Sequence, residues 1–215
     1  MENLSLNADN DFENKNDECN ERIYCLPIIG QIEGHFALEQ GQKTTKYDHI
    51  LPLLVSLEQS DKIDGILILL NTLGGDVEAG LAIAELISSL SKPTVSLVIG
   101  GGHSIGVPLA VSANHSFIVP SATMTIHPVR TNGLVLGVPQ AFDYMTKMQD
   151  RIINYVISHS KIKEAKFREM MNKTDILVND IGSILNGKEA VECGLIDEIG
   201  GIYEALEYLK NISQK

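Results

Sequence analysis

The sequence predicts an α/β fold in which a parallel sheet has helices packed on its faces. Two apolar runs, 63–70 and 94–99, are short, nearly continuous and rich in β-branched residues, which is typical of strands covered on both faces. Each run is followed by a glycine turn and then by a helical pattern. Because right-handed crossovers bring such turns together at the carboxyl edge of the sheet, we expect Gly75 and Ser104 to lie near each other.

The longest uncharged stretch of the chain runs from Pro93 to Val129 and contains no Asp, Glu, Lys or Arg. Such a stretch must be buried, either in lipid or in a protein core. Three consecutive glycines at 100–102 and several hydroxyl residues divide it into a strand, a tight turn and a short helix. These turn-forming residues favour burial in a protein core and predict that no segment spans a membrane.

The other elements follow from hydrophobic periodicity and turn residues. In chain order, the predictions are a strand at 23–29 closing at Gly30, a loop at 34–46, a helix from Asp48 with Pro52 in its first turn, a helix at 77–90, a short helix ending at Ala113, strands at 117–119 and 124–126, an extended segment at 132–138, helices at 140–159 and 162–171, a helix from Asn186 to Gly194 opened by a capping box with Glu189, a strand at 195–197 and a helix at 202–209.

Length and composition predict one domain, 22–215, preceded by a disordered tail at 1–21 that is rich in Asn, Asp and Glu. The formal net charge of −11 argues against nucleic acid as a partner. The cysteines Cys19, Cys25 and Cys193 match no metal spacing, so we interpret them as reduced thiols of a cytoplasmic protein. The first residues do not have the pattern of a signal peptide.

Ser104 is the first candidate for chemistry. It lies in Gly-His-Ser-Ile-Gly at 102–106, where small residues allow a strand to turn sharply into a helix and expose both the hydroxyl and the next backbone N–H. A serine that merely caps a helix can give the same pattern. His127 ends the uncharged stretch and could act as its base, although a lone histidine is often a core residue. Gly74 and Gly75 offer N–H groups to an oxyanion or to a phosphate.

An α/β-hydrolase is one enzyme class that would use these residues. It orders its triad as serine, acid and histidine. No histidine follows His159, so the acid would be Asp143 or Asp150, on a predicted helix. Triad members of that fold lie on loops, and 215 residues is short for it, so this class fits poorly.

Four segments in order resemble the Clp protease proteolytic-subunit family. They are Asn-Thr-Leu-Gly-Gly at 71–75, Gly-His-Ser-Ile-Gly at 102–106, Ile-His-Pro at 126–128 and Glu-Ala-Val-Glu-Cys-Gly-Leu-Ile-Asp at 189–197, within a resemblance that covers about 63–209. The resemblance implies a crotonase-like (ClpP-type) ββα spiral with a protruding strand-helix handle. It also implies a serine endopeptidase that hydrolyses unfolded proteins or peptides, and a role in supporting protein export.

The family's functional residues carry over by position. The resemblance implies that Ser104 is the nucleophile and His127 the general base, and that the N–H groups of Gly75 and Ile105 form the oxyanion hole. It implies neither a metal nor a cofactor. Ile105 stands where the family usually has methionine, a change that keeps the backbone N–H.

The third triad member is less well placed by the resemblance. Asp180 is the nearest acid, but two extra residues separate it from the Glu-Ala-Val-Glu segment, and Asp175 is the alternative. The proline that stiffens the oxyanion loop of the family is missing, because Thr72-Leu73 replaces Ser-Pro. The insert at 34–46 is similar to signal-peptide peptidases of the same fold, which use a lysine base and are the main enzyme alternative.

The resemblance also implies partners. It predicts homo-oligomeric rings, either heptamers or stacked rings, with an ATPase unfoldase as a candidate partner; a ring scaffold without catalysis is the non-enzyme alternative. The handle would comprise 132–138 and the helix at 140–159. We predict that the apolar side of this helix packs against another subunit through Met145, Met148, Ile152, Val156 and Ile157.

Overall fold

The computed structural model describes residues 23–39, 41–130, 137–174 and 181–213. Strands and helices alternate through these ranges. The strands are β1 (Ile23–Glu33), β2 (Thr44–Lys46), β3 (Gly65–Gly75), β4 (Thr94–His103), β5 (His115–Ile118), β6 (Thr123–Ile126), β7 (Ser183–Asn186) and β8 (Glu198–Ile199). The helices are α1 (Tyr47–Gln59), α2 (Val77–Ser88), α3 (Gly106–Val111), α4 (Pro139–Ser158), α5 (Glu164–Met171), α6 (Gly187–Glu192) and α7 (Ile202–Ser213).

These strands form one mixed sheet whose main path has the order β2-β1-β3-β4-β5-β8, with every pair parallel. Strand β4 has two successive neighbours on one side. Its first half pairs with β5, and its last residues, Gly101 to His103, pair in parallel with β6. Because β4 and β6 run in the same direction and end together, the residues that follow them, Ser104 and His127, emerge at the same edge of the sheet. The predicted parallel α/β sheet is confirmed, with β7 as an antiparallel addition to β6.

The two faces of the sheet are buried by different elements. On one face, Ile68 and Val98 belong to the main core, which α1 to α6 complete. On the other face, Leu67 and Leu97 pack against Leu209 of α7. Successive side chains of a strand point to opposite faces, so strands covered on both faces have apolar residues at every position. This double coverage explains the continuous apolar runs in the sequence.

Three strands are longer than predicted. β1 does not close at Gly30; this residue has a φ of 81°, the register against β3 shifts after it, and the strand continues to Glu33. β3 and β4 likewise continue through their glycines to Gly75 and His103. Neighbouring strands supply the hydrogen bonds that hold these glycine-rich ends extended, a contribution that sequence periodicity does not contain.

Other predictions were wrong in type or position. The predicted strand at 195–197 is a series of bends, and the strand is β8, directly after it. β7 was not predicted, because a strand of four residues that pairs only with β6 is too short to show a clear alternation of apolar and polar residues. Pro52 lies in the second turn of α1, where it is exposed, not in the first. The capping box of Asn186 and Glu189 is confirmed.

Helix α4 packs differently from the prediction. Val156 belongs to the main core and Met148 is 7% exposed, so the predicted intersubunit role is wrong for both. The exposed apolar side chains lie instead at the beginning of the helix. Phe142 is 72% exposed and Tyr144 is 60% exposed, and Val138 directly before the helix is also exposed. The large apolar side chains that α4 exposes are therefore at its N-terminal end, whereas Met145, Ile152 and Ile157 are partly buried.

Some predictions fall outside the described residues. These are the tail at 1–21, the extended segment at 132–136, and both candidate acids, Asp175 and Asp180. Among the helices that the structure describes, none is long and apolar enough to cross a membrane. In the same ranges, the His, Cys, Asp and Glu side chains form no group of three or more arranged to hold a metal ion.

Candidate active site

Ser104 occupies the turn between β4 and α3. Its φ is 58°, and within the described ranges it is the only residue other than glycine with a positive φ. A non-glycine residue held in this region costs of order 1–3 kcal/mol, and such strain is concentrated at functional sites. The N–H of Ser104 donates to the carbonyl oxygen of Thr125 at 2.9 Å, and its carbonyl accepts from Val107 N–H at 3.0 Å, which begins the helix. The sharp strand-to-helix turn predicted from the glycine-flanked motif is present.

The end of β3 packs directly against this turn. A Cβ atom at Gly74 would lie 2.6 Å from the Cβ of Ser104 and 2.8 Å from the carbonyl oxygen of His103. Gly74 also has a φ of 93°, which L side chains rarely adopt. The glycines at the end of β3 therefore contact the turn that follows β4, as the parallel topology predicted.

We expect Gly74→Ala to disrupt the turn that holds Ser104. The new methyl group cannot be accommodated without moving Ser104 or the backbone of His103. Overpacking and the unfavourable φ together predict a loss of roughly 2–4 kcal/mol in the free energy of unfolding. Gly41→Ala is a matched control, because Gly41 has a similar φ of 97° and no atom within 4 Å of an added Cβ. Urea unfolding of both variants measures the difference, and equal losses would show that the contact with Ser104 is unimportant.

Thr72 makes two hydrogen bonds near the end of β3, in the segment where the family has its proline. Its hydroxyl donates to the carbonyl oxygen of Gly30 at 2.6 Å, and the same oxygen accepts from Gly74 N–H at 3.0 Å. The side chain is buried, with 1% of its surface exposed. Thr72 thus ties the loop to β1 and fixes the first glycine through hydrogen bonds.

Ser104 opens into a cleft of about 270 Å³. Its lining combines backbone and polar groups near the serine with a wall of apolar side chains from four helices, α2 to α5, and from β6. The lining residues are Gln31, Leu73, Gly75, Val77, Ser104, Ile105, Val107, Ile126, His127, Pro128, Val129, Arg130, Ile152, Phe167 and Met171. The structure therefore brings Ser104, His127, Gly75 and Ile105 to one site. The two candidate acids, Asp175 and Asp180, lie outside the described residues.

His127 directly follows β6 and lines the cleft. Its Nδ1 lies 2.6 Å from the carbonyl oxygen of Pro128. Because a carbonyl only accepts, a neutral His127 ring that bonds this oxygen carries its hydrogen on Nδ1, which makes Nε2 the basic nitrogen. No hydrogen bond joins Ser104 and His127 among the described contacts, and such bonds often tighten only when substrate is bound.

The backbone around Ser104 selects which N–H groups can face an oxyanion. The N–H of Ser104 is engaged by Thr125 and that of Gly74 by Thr72. The N–H of Ile105, by contrast, has no acceptor among the described residues, and Ile105 and Gly75 both line the cleft. Gly75 and Ile105 therefore remain the predicted oxyanion donors.

The charge of the cleft is unlike that of the whole chain. Although the chain has a formal net charge of −11, the described lining contains no carboxylate, and Arg130 is its one formally charged side chain. The described lining also contains no lysine. The lysine base of the signal-peptide peptidase alternative therefore has no candidate among these residues.

Several lining residues were missed by sequence reasoning. Gln31 was missed because β1 was expected to close at Gly30. Ile152, Phe167 and Met171 belong to helices that were predicted, but periodicity identifies an apolar face without identifying what it faces.

Comparison with known proteins agrees with this fold. The chain superimposes on a mutant ClpP1 from Listeria monocytogenes with a TM-score of 0.67 and 20% sequence identity, covering 85% of this chain and 94% of that one. The mixed sheet and its helices are thus a ClpP-type fold.

Sequence comparison then gives the family. A family model described as Clp protease matches residues 24–202, so the chain belongs to the Clp protease family. It is 58% identical over 193 residues to the translocation-enhancing protein TepA of Halalkalibacterium halodurans, covering 90% of this chain and 75% of the relative. It is also 26% identical over 166 residues to the ATP-dependent Clp protease proteolytic subunit 1 of Protochlamydia amoebophila, covering 74% and 76% of the two chains.

Proposed function

We propose that the chain is a cytoplasmic serine endopeptidase of the Clp proteolytic-subunit type, acting on unfolded proteins or peptides. The observation that carries the proposal is the position of Ser104, held at a positive φ where it opens into a cleft shared with His127. A strained serine that shares a cleft with a base and with backbone N–H groups is the arrangement that acyl transfer needs.

In the proposed reaction, Ser104 Oγ attacks the carbonyl carbon of the scissile peptide bond while His127 Nε2 accepts the hydroxyl proton. The N–H groups of Gly75 and Ile105 donate to the oxygen that becomes negatively charged. His127 then gives the proton to the leaving nitrogen, the C–N bond breaks, and an ester to Ser104 remains. Water attacks this ester with His127 again as base, which releases the acid product and regenerates the serine.

The cleft supports a preference for substrates with an apolar residue before the scissile bond. Ile126, Phe167 and Met171 are each at most 2% exposed and form a wall beside Ser104. An apolar side chain placed there leaves water without leaving a polar group unpaired. The name of the relative TepA adds support for a connection with protein translocation.

Reaction with a fluorophosphonate tests the proposal. The reagent phosphonylates a serine only when a neighbouring base and an oxyanion site activate it. We expect one label per chain, located at Ser104 by mass spectrometry of proteolytic fragments. A chain that stays unlabelled and hydrolyses no casein or fluorogenic peptide would instead be a non-catalytic scaffold.

Assembly into homo-oligomeric rings is part of the proposal, and an ATPase unfoldase is a candidate partner in view of the ATP-dependent relative. The exposed aromatic side chains of α4, Phe142 and Tyr144, support a contact between subunits at the beginning of this helix. We expect the combined change Phe142→Asp and Tyr144→Asp to lower the mass of the assembly in light scattering without lowering the melting temperature of the protomer.

Two controls accompany this measurement. Phe36→Asp makes the same change at a phenylalanine that is 86% exposed in another segment, and it should leave the assembly mass unchanged. Met148→Asp places a charge at a buried position of the same helix and should lower the melting temperature instead. A wild-type mass equal to the 23.5 kDa of one chain at micromolar concentration would contradict the assembly.

A further inference from the structure

His103 directly precedes Ser104 and does not line the cleft. It is the last residue of β4 and is the parallel-sheet partner of Thr125 on β6. Nδ1 of His103 lies 2.9 Å from Oγ1 of Thr125, which is hydrogen-bonding distance. The contact joins β4, which leads to Ser104, to β6, which leads to His127.

Thr125 is bound to the turn of Ser104 at two points. Its carbonyl oxygen accepts from the N–H of Ser104 at 2.9 Å, and its hydroxyl bonds His103. His127 follows two residues later, directly after the end of β6. The spacing of the serine and the base therefore depends on how firmly Thr125 is held.

The surroundings of His103 favour a single orientation of its ring. The side chain is half-buried, and the lack of a Cβ at Gly101 provides space for it, since an added methyl would lie 2.6 Å from Nε2 of His103. Burial lowers the pKa of His103, which favours the neutral imidazole. A neutral ring can accept a hydrogen bond from the threonine hydroxyl or donate one to it.

We propose that His103 is a positioning residue of the active site, which acts through Thr125 to hold β6, and with it His127, at the correct distance from Ser104. The inference rests on the proposed peptidase function. His103 touches neither the substrate nor the reacting atoms. Its loss should therefore slow the chemical step without weakening substrate binding.

The first part of the test changes Thr125. Thr125→Val keeps the size and β-branching of the side chain but removes the hydroxyl, and we expect kcat to fall about 10- to 100-fold with KM unchanged. Thr125→Ser restores the hydroxyl and should recover most of kcat. Thr123→Val makes the same change two residues earlier on the same face of β6, where the hydroxyl has no hydrogen-bond partner among the described residues, and kcat should stay at the wild-type value.

The second part changes the histidine and its space. His103→Ala removes the ring. Gly101→Ala displaces the ring but leaves His103 and Thr125 unchanged in sequence. Both should lower kcat to the level of Thr125→Val. The double variant His103→Ala with Thr125→Val should be no slower than either single variant, because both remove one interaction. If His103→Ala does not fold, Gly101→Ala and Thr125→Val carry the same comparison.

Wild-type kcat in the folded variants at positions 103 and 125 would overturn the positioning role, as would a Thr125→Ser variant that recovers nothing. A loss of kcat in Thr123→Val as large as in Thr125→Val would also overturn it, because any change to β6 would then suffice. Fluorophosphonate labelling of the wild type distinguishes a failure of the proposed peptidase function from a failure of the positioning role of His103. An unlabelled wild-type chain overturns the proposed function and this role with it, whereas a labelled wild type with equally reactive variants overturns this role alone.

Discussion

Ser104→Ala is expected to abolish peptide hydrolysis and fluorophosphonate labelling while leaving the fold intact. Removing the nucleophile of a serine-protease triad lowers kcat by about 10⁶-fold, because the residual catalysis comes only from binding and the oxyanion hole. Alanine accepts the φ of 58° about as well as serine does, and the hydroxyl of Ser104 makes no hydrogen bond to another described residue. The stability of the turn should therefore be nearly unchanged.

The measurement is steady-state cleavage of a fluorogenic peptide, with the melting temperature of each protein recorded beside it. Ser121→Ala is the matched control, because Ser121 is exposed on the connection between β5 and β6 and does not line the cleft. It should retain wild-type kcat. Full activity in Ser104→Ala would contradict the assignment of the nucleophile, and with it the proposed mechanism.

Asp180→Asn is expected to lower kcat by about 10⁴-fold with little change in KM, if Asp180 is the third member of the triad. His127 already has the carbonyl of Pro128 beside Nδ1, at 2.6 Å. A carbonyl is neutral, so it orients the ring without fully compensating the positive charge that His127 gains in the transition state. A carboxylate supplies that compensation, and asparagine removes it.

Asp175→Asn and Asp143→Asn complete this experiment. Asp143 is exposed on α4 and does not line the cleft, so its substitution should leave kcat unchanged. A large loss in Asp175→Asn and none in Asp180→Asn would move the acid to the other candidate. Normal kcat in both variants would mean that neither Asp175 nor Asp180 is the acid of the triad.

Much of the fold was predictable because it depends on local patterns. The buried strands β3 and β4 showed as apolar runs, and the capping box of Asn186 and Glu189 is formed by residues three apart. The position of strand ends was not predictable in the same way. β3 and β4 continue to Gly75 and His103 because β1 and β6 lie beside them, and glycine-rich segments have little preference for extended structure of their own.

The candidate site likewise has features that the sequence predicted and features that it did not. The parallel topology was enough to place Gly75 near Ser104, and the motif at 102–106 was enough to predict the turn. The apolar wall of Phe167 and Met171 could not be predicted, because an amphipathic helix does not specify which surface it covers. The same uncertainty led to the wrong role for Met148 and Val156 of α4.

By itself, the sequence determined the class of fold, the sharp turn at Ser104 and the approach of Gly75 to Ser104 at the sheet edge. These depend on interactions within a few residues, on burial and on the handedness of crossovers, all of which composition and spacing contain. Only the tertiary structure decided that Thr72 bonds the carbonyl of Gly30, that Thr125 engages the N–H of Ser104, and that His103 bonds Thr125. Each of these is a hydrogen bond between residues far apart in the chain, and a single donor or acceptor has many possible partners until packing selects one.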